Sequence, residues 1–436
     1  MSEIKAAQER SAPGPESRAT AFVDLHRIEL GTAITRRATV TDIRILATPP
    51  SGRHNLPRSP GCKLIQSCCN DRMVDLQRSK TVFLAGLTAV ALTMAEPAVD
   101  ASAATSSERA IIRLDLLPGG TTSRATAVND RGVIVGYGDT GNGENHAIRW
   151  NRRGRVTDLG TLPGGAHSYA YGINEHGDTV GYADNADGSE RAVRWAPNGA
   201  ITDLGTLPGR TASYAFGIND EGSVVGEVPI RPKIYHAVKW QPDGTIIDLG
   251  TTSPRGSTAA DAINDDGVVI GRTFTVGTGN FVNAGTWPAG ATTVTLLPPL
   301  PDGGPRSNSG GINDKGLIVG YAQSRPGPPP IYAIHATLWS PGASAPTDLG
   351  VLPGGSDYSV ANGINNAGTI VGISATSTPE DRGAVLWKRR KGGWRIVPLP
   401  QLPGGRYSEA TAINNAGEVV GEASTASDQS IAVRWK

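Results

Sequence analysis

Residues 158–195 read DLGTLPGGAHSYAYGINEHGDTVGYADNADGSERAVRW, and variants of this stretch recur seven times between about Arg113 and the last residue. The anchor of each copy is an Asn preceded by Ile or Val: Asn129, Asn174, Asn219, Asn264, Asn313, Asn365 and Asn414. The steps between them are 45, 45, 45, 49, 52 and 49 residues. A Gly follows three residues after every anchor and another seven after it. A Trp then closes each unit, at 150, 195, 240, 287, 339, 387 and 435. Seven of the eight tryptophans hold this one position, so the period itself is the architecture.

Each unit reads as four short strands. The first spans Ser168 to Ile173 in the quoted copy, with small residues two and four positions before the Asn in every copy. Period two places them on one crowded face. Asn-x-x-Gly is a tight turn, because Asn bonds its own backbone and Gly accepts positive φ. A β-branched pair opens the second strand, Ala192 to Trp195 forms the third, and Ile201 to Leu204 the fourth. Four strands in about 45 residues, seven times over, predict an all-β, seven-bladed β-propeller of four-stranded blades. The chain ends on the third strand of its seventh unit. Residues 111–116 resemble the missing fourth strand, so an N-terminal strand is expected to pair into the last blade and leave no open sheet edge.

The 436 residues divide as follows in this reading. Residues 1–72 hold all three cysteines and no sustained period, and read as a non-native or disordered extension. Residues 73–103 carry a basic start (Arg78, Lys80), an apolar run from Val82 to Thr93 and an Ala-x-Ala site at Ala101 to Ala103, the pattern of a secretory signal peptide. A linker, 104–110, leads to the repeats at 111–436. The expected product is secreted, without cysteine and without a membrane span. The formal net charge of +1 gives no electrostatic pull toward nucleic acid.

No catalytic constellation and no metal-ligand spacing stand out. The Ser or Thr six residues before each anchor is read as satisfying a backbone group where blades meet, since it recurs seven times. Asp184 to Glu190 and Asp139 to Glu144 are oxygen-rich and offer a Ca²⁺ alternative to plain solvated turns. Otherwise no cofactor is implied. His146, His236 and His335 are placed at a blade rim. Lys388 to Arg395 forms a basic hairpin, read as a solvated tip or as a holder of anionic polymer. The Leu-Pro-Gly-Gly turns and the loops between second and third strands share the opposite face. Aromatics on that face suit sugar or peptide stacking, and Tyr169, Tyr214, Tyr358, Tyr407 and His167 are the candidate ligand-binding residues.

The consensus D-L-G-T-L-P-G-G-x-x-S-x-A-x-G-I-N-x-x-G-x-V-V-G…H-A-V-x-W resembles the HAF-repeat family of bacterial extracellular proteins. Asp158 to Gly165, Gly172-Ile173-Asn174 and His236-Ala237-Val238 carry the resemblance. It departs from the family where Ile148 and Val238 replace the aromatic of the His-Ala-aromatic triplet. The resemblance implies an extracellular repeat protein and assigns no activity. The expected function is a monomeric binding module for an extracellular polysaccharide, cell-wall polymer or protein. A polysaccharide-acting propeller hydrolase or lyase is the alternative, and a structural surface protein a further one. Asp261 and Asp357 are the carboxylates expected near one face.

Overall fold

The computed structural model describes residues 109–253, 255–274, 282–326, 333–376 and 381–436. The extension, the signal peptide, most of the linker, the three cysteines and most of the Pro-rich segment 325–330 lie outside them. The described residues hold 28 strands in seven four-stranded antiparallel sheets, and these are the blades of a seven-bladed propeller. Blade 2 is typical: Ser168–Ile173 is innermost, followed outward by Thr179–Asp184, Glu190–Trp195 and Ile201–Asp203. The outermost strand of blade 7 is Ile111–Arg113, which pairs with Ser430–Trp435 through Ile111–Trp435 and Arg113–Val433. Among the described residues no helix is long and apolar enough to cross a membrane.

The two small positions of the inner strand are small for different reasons. Simple alternation does not hold, because the register slips between Ala170 and Gly172, so Ala170 faces Gly181 and Gly172 faces Val180. The same slip occurs in all seven blades. It is a β-bulge, one extra residue on one strand. The bulge drives the Tyr169 carbonyl oxygen onto Gly181, where a Cβ would overlap it and lie 2.9 Å from its carbon. That overlap recurs at Gly136, Gly226, Gly271, Gly320, Gly372 and Gly421, which explains the invariant second Gly of the repeat. Ala170 is small because it is fully buried in the blade core. Gly172 is small because a Cβ there would sit 3.0 Å from the Phe216 carbonyl oxygen of the next blade.

Apolar clusters lie between successive blades rather than within them. Val135 and Ala147 of blade 1, for example, pack with Leu159, Leu162, Ala170, Val193 and Trp195. The seven repeat tryptophans are at most 4% exposed. In six of them the indole N–H donates to a carbonyl at the end of the preceding blade, as from Trp150 to Asp115 (2.7 Å) and Trp435 to Pro400 (2.8 Å).

The anchor Asn residues form a closed ring. Each is buried, its Oδ1 accepts from the N–H four residues on, and its Nδ2 donates to the carbonyl of the next anchor. The last link runs from Asn414 Nδ2 to the Asn129 carbonyl at 2.9 Å. A second ring lies beside it. Each backbone N–H after the anchor donates to the side chain of the equivalent residue in the next blade, through Asp130, Glu175, Asp220, Asp265, Asp314, Asn366, Asn415 and back to Asp130. Near the other end, the hydroxyl six residues before each anchor accepts the N–H of a buried Ala on the preceding blade, at 2.8 to 3.0 Å in all seven seams. Repetition thus has a physical cause. Every seam must satisfy the same buried polar groups.

Candidate functional site

The rings predicted to meet a ligand divide into two sets. Tyr169 and Tyr214 lie five residues before their anchors, on the inner strands of blades 2 and 3. They belong to one chain of rings that runs around the inner wall through Tyr137, Tyr169, Tyr182 and Tyr214, with centroids 5.0 to 5.1 Å apart. Tyr171 and Phe216 extend it, 5.6 Å from each other, and Tyr171 stacks on Tyr182 at 5.8 Å. Tyr182 is buried and the other five are half-buried. Tilted and edge-on pairs at these distances are the favoured aromatic geometries.

His167, Tyr358 and Tyr407 instead sit seven residues before their anchors, where the inner strand meets the preceding blade. Each is already engaged by a neighbour. The His167 Nδ1 accepts the Asn145 N–H at 3.1 Å. Arg382 lies 3.8 Å over the Tyr358 ring, a cation–π contact. The Tyr407 hydroxyl donates to Glu409 at 2.8 Å. The structure therefore brings Tyr169 and Tyr214 together, sets His167 beside Tyr169 through the shared Asn145, and leaves Tyr358 and Tyr407 on other blades. Tyr332, another tyrosine expected beside those loops, lies outside the described residues.

The inner wall is lopsided. At the positions five before, three before and eight after the anchor, blades 2 and 3 supply Tyr169, Tyr171, Tyr182, Tyr214, Phe216 and Glu227. Blades 4 to 6 supply mostly small or polar groups there, such as Ala259, Asp261, Asn308, Gly310 and Asn362. Polar groups edge the aromatic arc. Asn145 Nδ2 donates to the Tyr169 hydroxyl at 3.3 Å, and the Tyr214 hydroxyl donates to Glu190. Burial and the neighbouring Glu190 raise the Tyr214 phenol well above its ordinary range, so it stays protonated as a donor. Burial also pushes Tyr235 up to about 12.

Two carboxylate–arginine–carboxylate groups occupy the same layer, and the sequence reading singled out only one of their six residues. In the seam of blades 3 and 4, the Arg272 guanidinium pairs with Asp261 and lies 3.9 Å from Glu227. In the seam of blades 7 and 1, Arg124 pairs with Glu409 (3.0 Å) and Glu422 (2.6 Å). Burial raises Glu227 to about 7, with Arg272 opposing the shift and Asp261 adding to it. Burial also raises Asp261, against Arg272, and its Oδ2 has no hydrogen-bond partner. These charges stand in columns that hold uncharged residues in the other blades, among them Tyr169, Tyr171 and Tyr182, and that contrast was the available signal. Asp357 is on another blade, paired with Arg325.

The rim histidines have a specific partner. His146, His236 and His335 pair through Nδ1 with Asp158, Asp248 and Asp348 at 2.8 to 2.9 Å, and Arg191 takes the place of His against Asp203. The same Asp side chains accept the N–H two residues on, which shapes the Asp-Leu-Gly turn. Where the cation is missing the Asp is missing too. In blade 4, the hydrogen bond from Leu297 N–H to the Ala284 carbonyl puts Leu296 at the Asp position, where it is 49% exposed. In the oxygen-rich loops, Asp139 accepts from the N–H and hydroxyl groups of Thr121 and Thr122, and Asp187 from the Ser189 N–H. Among the described residues no group of three or more His, Cys, Asp or Glu is placed to hold a metal ion. On the Asn-turn face, a cavity of about 360 Å³ between blades 2 and 3 is lined by Asp178, Arg194, Trp240, Gln241 and Pro242, away from the aromatic arc.

No protein-family model matches the chain, and no curated protein matches it. Solved structures with some likeness include TolB from Acinetobacter baumannii (11% identity, TM-score 0.36, 50% of this chain and 52% of that one). Others are a gluconolactonase from Xanthomonas campestris (14%, 0.37, 75% and 89%) and virginiamycin B lyase from Staphylococcus aureus (14%, 0.44, 75% and 98%). The chain thus spans about half the length of TolB. At these identities and scores the likenesses assign no activity, and the propeller rests on the chain's own strands.

Proposed function

We propose that this chain is a secreted propeller that binds an extracellular carbohydrate or cell-wall polymer on its Leu-Pro-Gly-Gly face. The observation that carries this reading is the arc of six rings on blades 1 to 3, edged by Asn145, Glu190 and Glu227. Sugar rings present C–H faces to aromatic rings and hydroxyls to such polar groups, which is the mix a ligand pocket needs. The segment 73–103 and the resemblance to the HAF-repeat family support export. The test is a screen of the full chain against immobilised cell-wall, plant and microbial polysaccharides, with and without EDTA. Saturable binding to one polymer class, unchanged by EDTA, is expected. Loss with EDTA would revive the calcium loops, and capture of a protein but no polymer would overturn the carbohydrate reading.

A second reading, a polysaccharide hydrolase or lyase, draws support from Glu227 and Asp261. Two carboxylates with one held near neutrality are the groups such chemistry uses for acid and base steps. Shortening of the bound polymer, abolished in Glu227→Gln, would establish it. An unchanged chain length after prolonged incubation would leave a pure binding module.

A further inference from the structure

The hairpin of blade 6 is built unlike its counterparts. Its strands Arg382–Arg390 and Gly393–Pro398 run nine and six residues, whereas the outermost strands of the other blades have two or three. The extra length ends in a turn with Gly392 and Gly393 both at positive φ. It carries Lys388, Arg389, Arg390, Lys391 and Arg395, and all but the half-buried Lys388 are exposed.

The register makes this charge a cost to the fold. Lys388 stands directly opposite Arg395, and like charges across strands destabilise a sheet. Alternation puts Lys388, Arg390 and Arg395 on one face, continuous with Leu386 and Val397, which pack toward blade 7. A fourth cation comes from a distant segment. Arg109 is anchored on the carbonyls of Gly417 (2.8 Å) and Trp435 (3.2 Å) and, with Arg390, acts on Lys388. None of the ion pairs among the described residues involves the five hairpin cations. The second hydrogen-bonded ring carries carboxylates in blades 1 to 5, but Asn366 and Asn415 in blades 6 and 7. The anionic collar is thus interrupted in the blade that carries the hairpin and in the next one.

We infer that this hairpin, with Arg109, is a second binding surface on the Asn-turn face and takes an acidic polysaccharide. The convergence of four unpaired cations from two segments on one face supplies the positive track. Lys388 and Arg390 are about 7 Å apart along the strand, within reach of charges on successive sugars. A membrane surface fits less well, because Trp394 packs toward the seam of blades 5 and 6 and the tip offers no apolar residue for a bilayer. Nucleic acid fits less well because the basic area is confined to one hairpin of a chain with formal net charge +1.

The test uses the full chain on immobilised polygalacturonate, with neutral dextran, duplex DNA and phosphatidylglycerol vesicles alongside. The variant is Lys388→Ser with Arg390→Ser and Arg395→Ser. The control, Arg153→Ser with Arg155→Ser, removes exposed cations from the corresponding turn of blade 1. Binding to polygalacturonate at 50 mM salt is expected to fall about tenfold or more in the variant and to change little in the control. It should also fall steeply toward 500 mM salt as screening shortens to a few ångströms. Thermal unfolding should show the variant no less stable than the parent, since it loses a like-charge pair. Undiminished binding in the variant overturns the inference. So does failure of the parent to bind polygalacturonate at 50 mM salt, or equal or tighter binding to DNA or vesicles.

Discussion

Asn414→Ala strikes the last link of the buried Asn ring. In the native chain its Nδ2 donates to the Asn129 carbonyl at 2.9 Å and its Oδ1 accepts the Glu418 N–H at 2.8 Å. The residue is 4% exposed. Alanine removes both bonds and leaves the Glu418 N–H buried without a partner, while the Asn129 carbonyl keeps the Gly132 N–H at 2.9 Å. The orphaned group costs about 1–3 kcal/mol and the other lost bond about 0.5–1.5 kcal/mol, so the substitution should destabilise by roughly 2–4 kcal/mol. Asn414→Asp keeps the acceptor but turns a second oxygen onto the Asn129 carbonyl, and should cost at least as much. Urea unfolding followed by the fluorescence of the buried tryptophans measures it, as a lowered midpoint at constant slope. Asn174→Ala removes the same two bonds in blade 2 (3.2 and 2.9 Å) and is the internal standard. The two values should agree within a factor of two. A loss below about 0.5 kcal/mol at Asn414, beside a full loss at Asn174, would refute the closed ring.

Gly181→Ala should fold poorly or lose about 3 kcal/mol or more, because the new Cβ overlaps the Tyr169 carbonyl and both sides of the clash are backbone. A neutral effect in the same urea assay would mean the bulge relaxes freely. Glu227 gives a pH prediction. Its folded value, about 7, lies above its ordinary value of 4.5, so the folded state holds the proton longer. Its contribution is therefore complete below about pH 4.5 and is lost as pH rises through about 7, a difference on the order of 3 kcal/mol. Glu227→Gln should remove that decline relative to the parent, and identical pH profiles for the two would contradict it.

The architecture was legible because seven copies average out the noise of any one. Asn, Gly and Trp recur in columns, and each column proves to be a seam contact or a steric limit. The bulge was hidden because a small residue two and four positions before the anchor looks the same whether it alternates or slips. Only the Tyr169 carbonyl pressing on Gly181 reveals the slip. The candidate site was half legible. Tyr169 and Tyr214 were visible as aromatics at the start of inner strands, beside the Leu-Pro-Gly-Gly turns. Tyr137, Tyr171, Tyr182 and Phe216 needed the register that stacks adjacent blades. Arg124, Glu409, Glu422, Glu227 and Arg272 were invisible as a group, since their partners lie across a seam and, for Arg124, at the other end of the chain.

The structure also separates the candidate tyrosines, and that separation gives the most direct test of the proposed site. The measurement is calorimetric titration of the full chain with the polymer found in the screen, for three proteins of matched thermal stability. They are the parent, Tyr169→Ala with Tyr214→Ala, and Tyr358→Ala with Tyr407→Ala. The aromatic-arc account predicts that the first pair abolishes binding and the second leaves it within about threefold, because Tyr358 and Tyr407 are engaged with Arg382 and Glu409 on blades 6 and 7. Full binding after loss of Tyr169 and Tyr214 would contradict it.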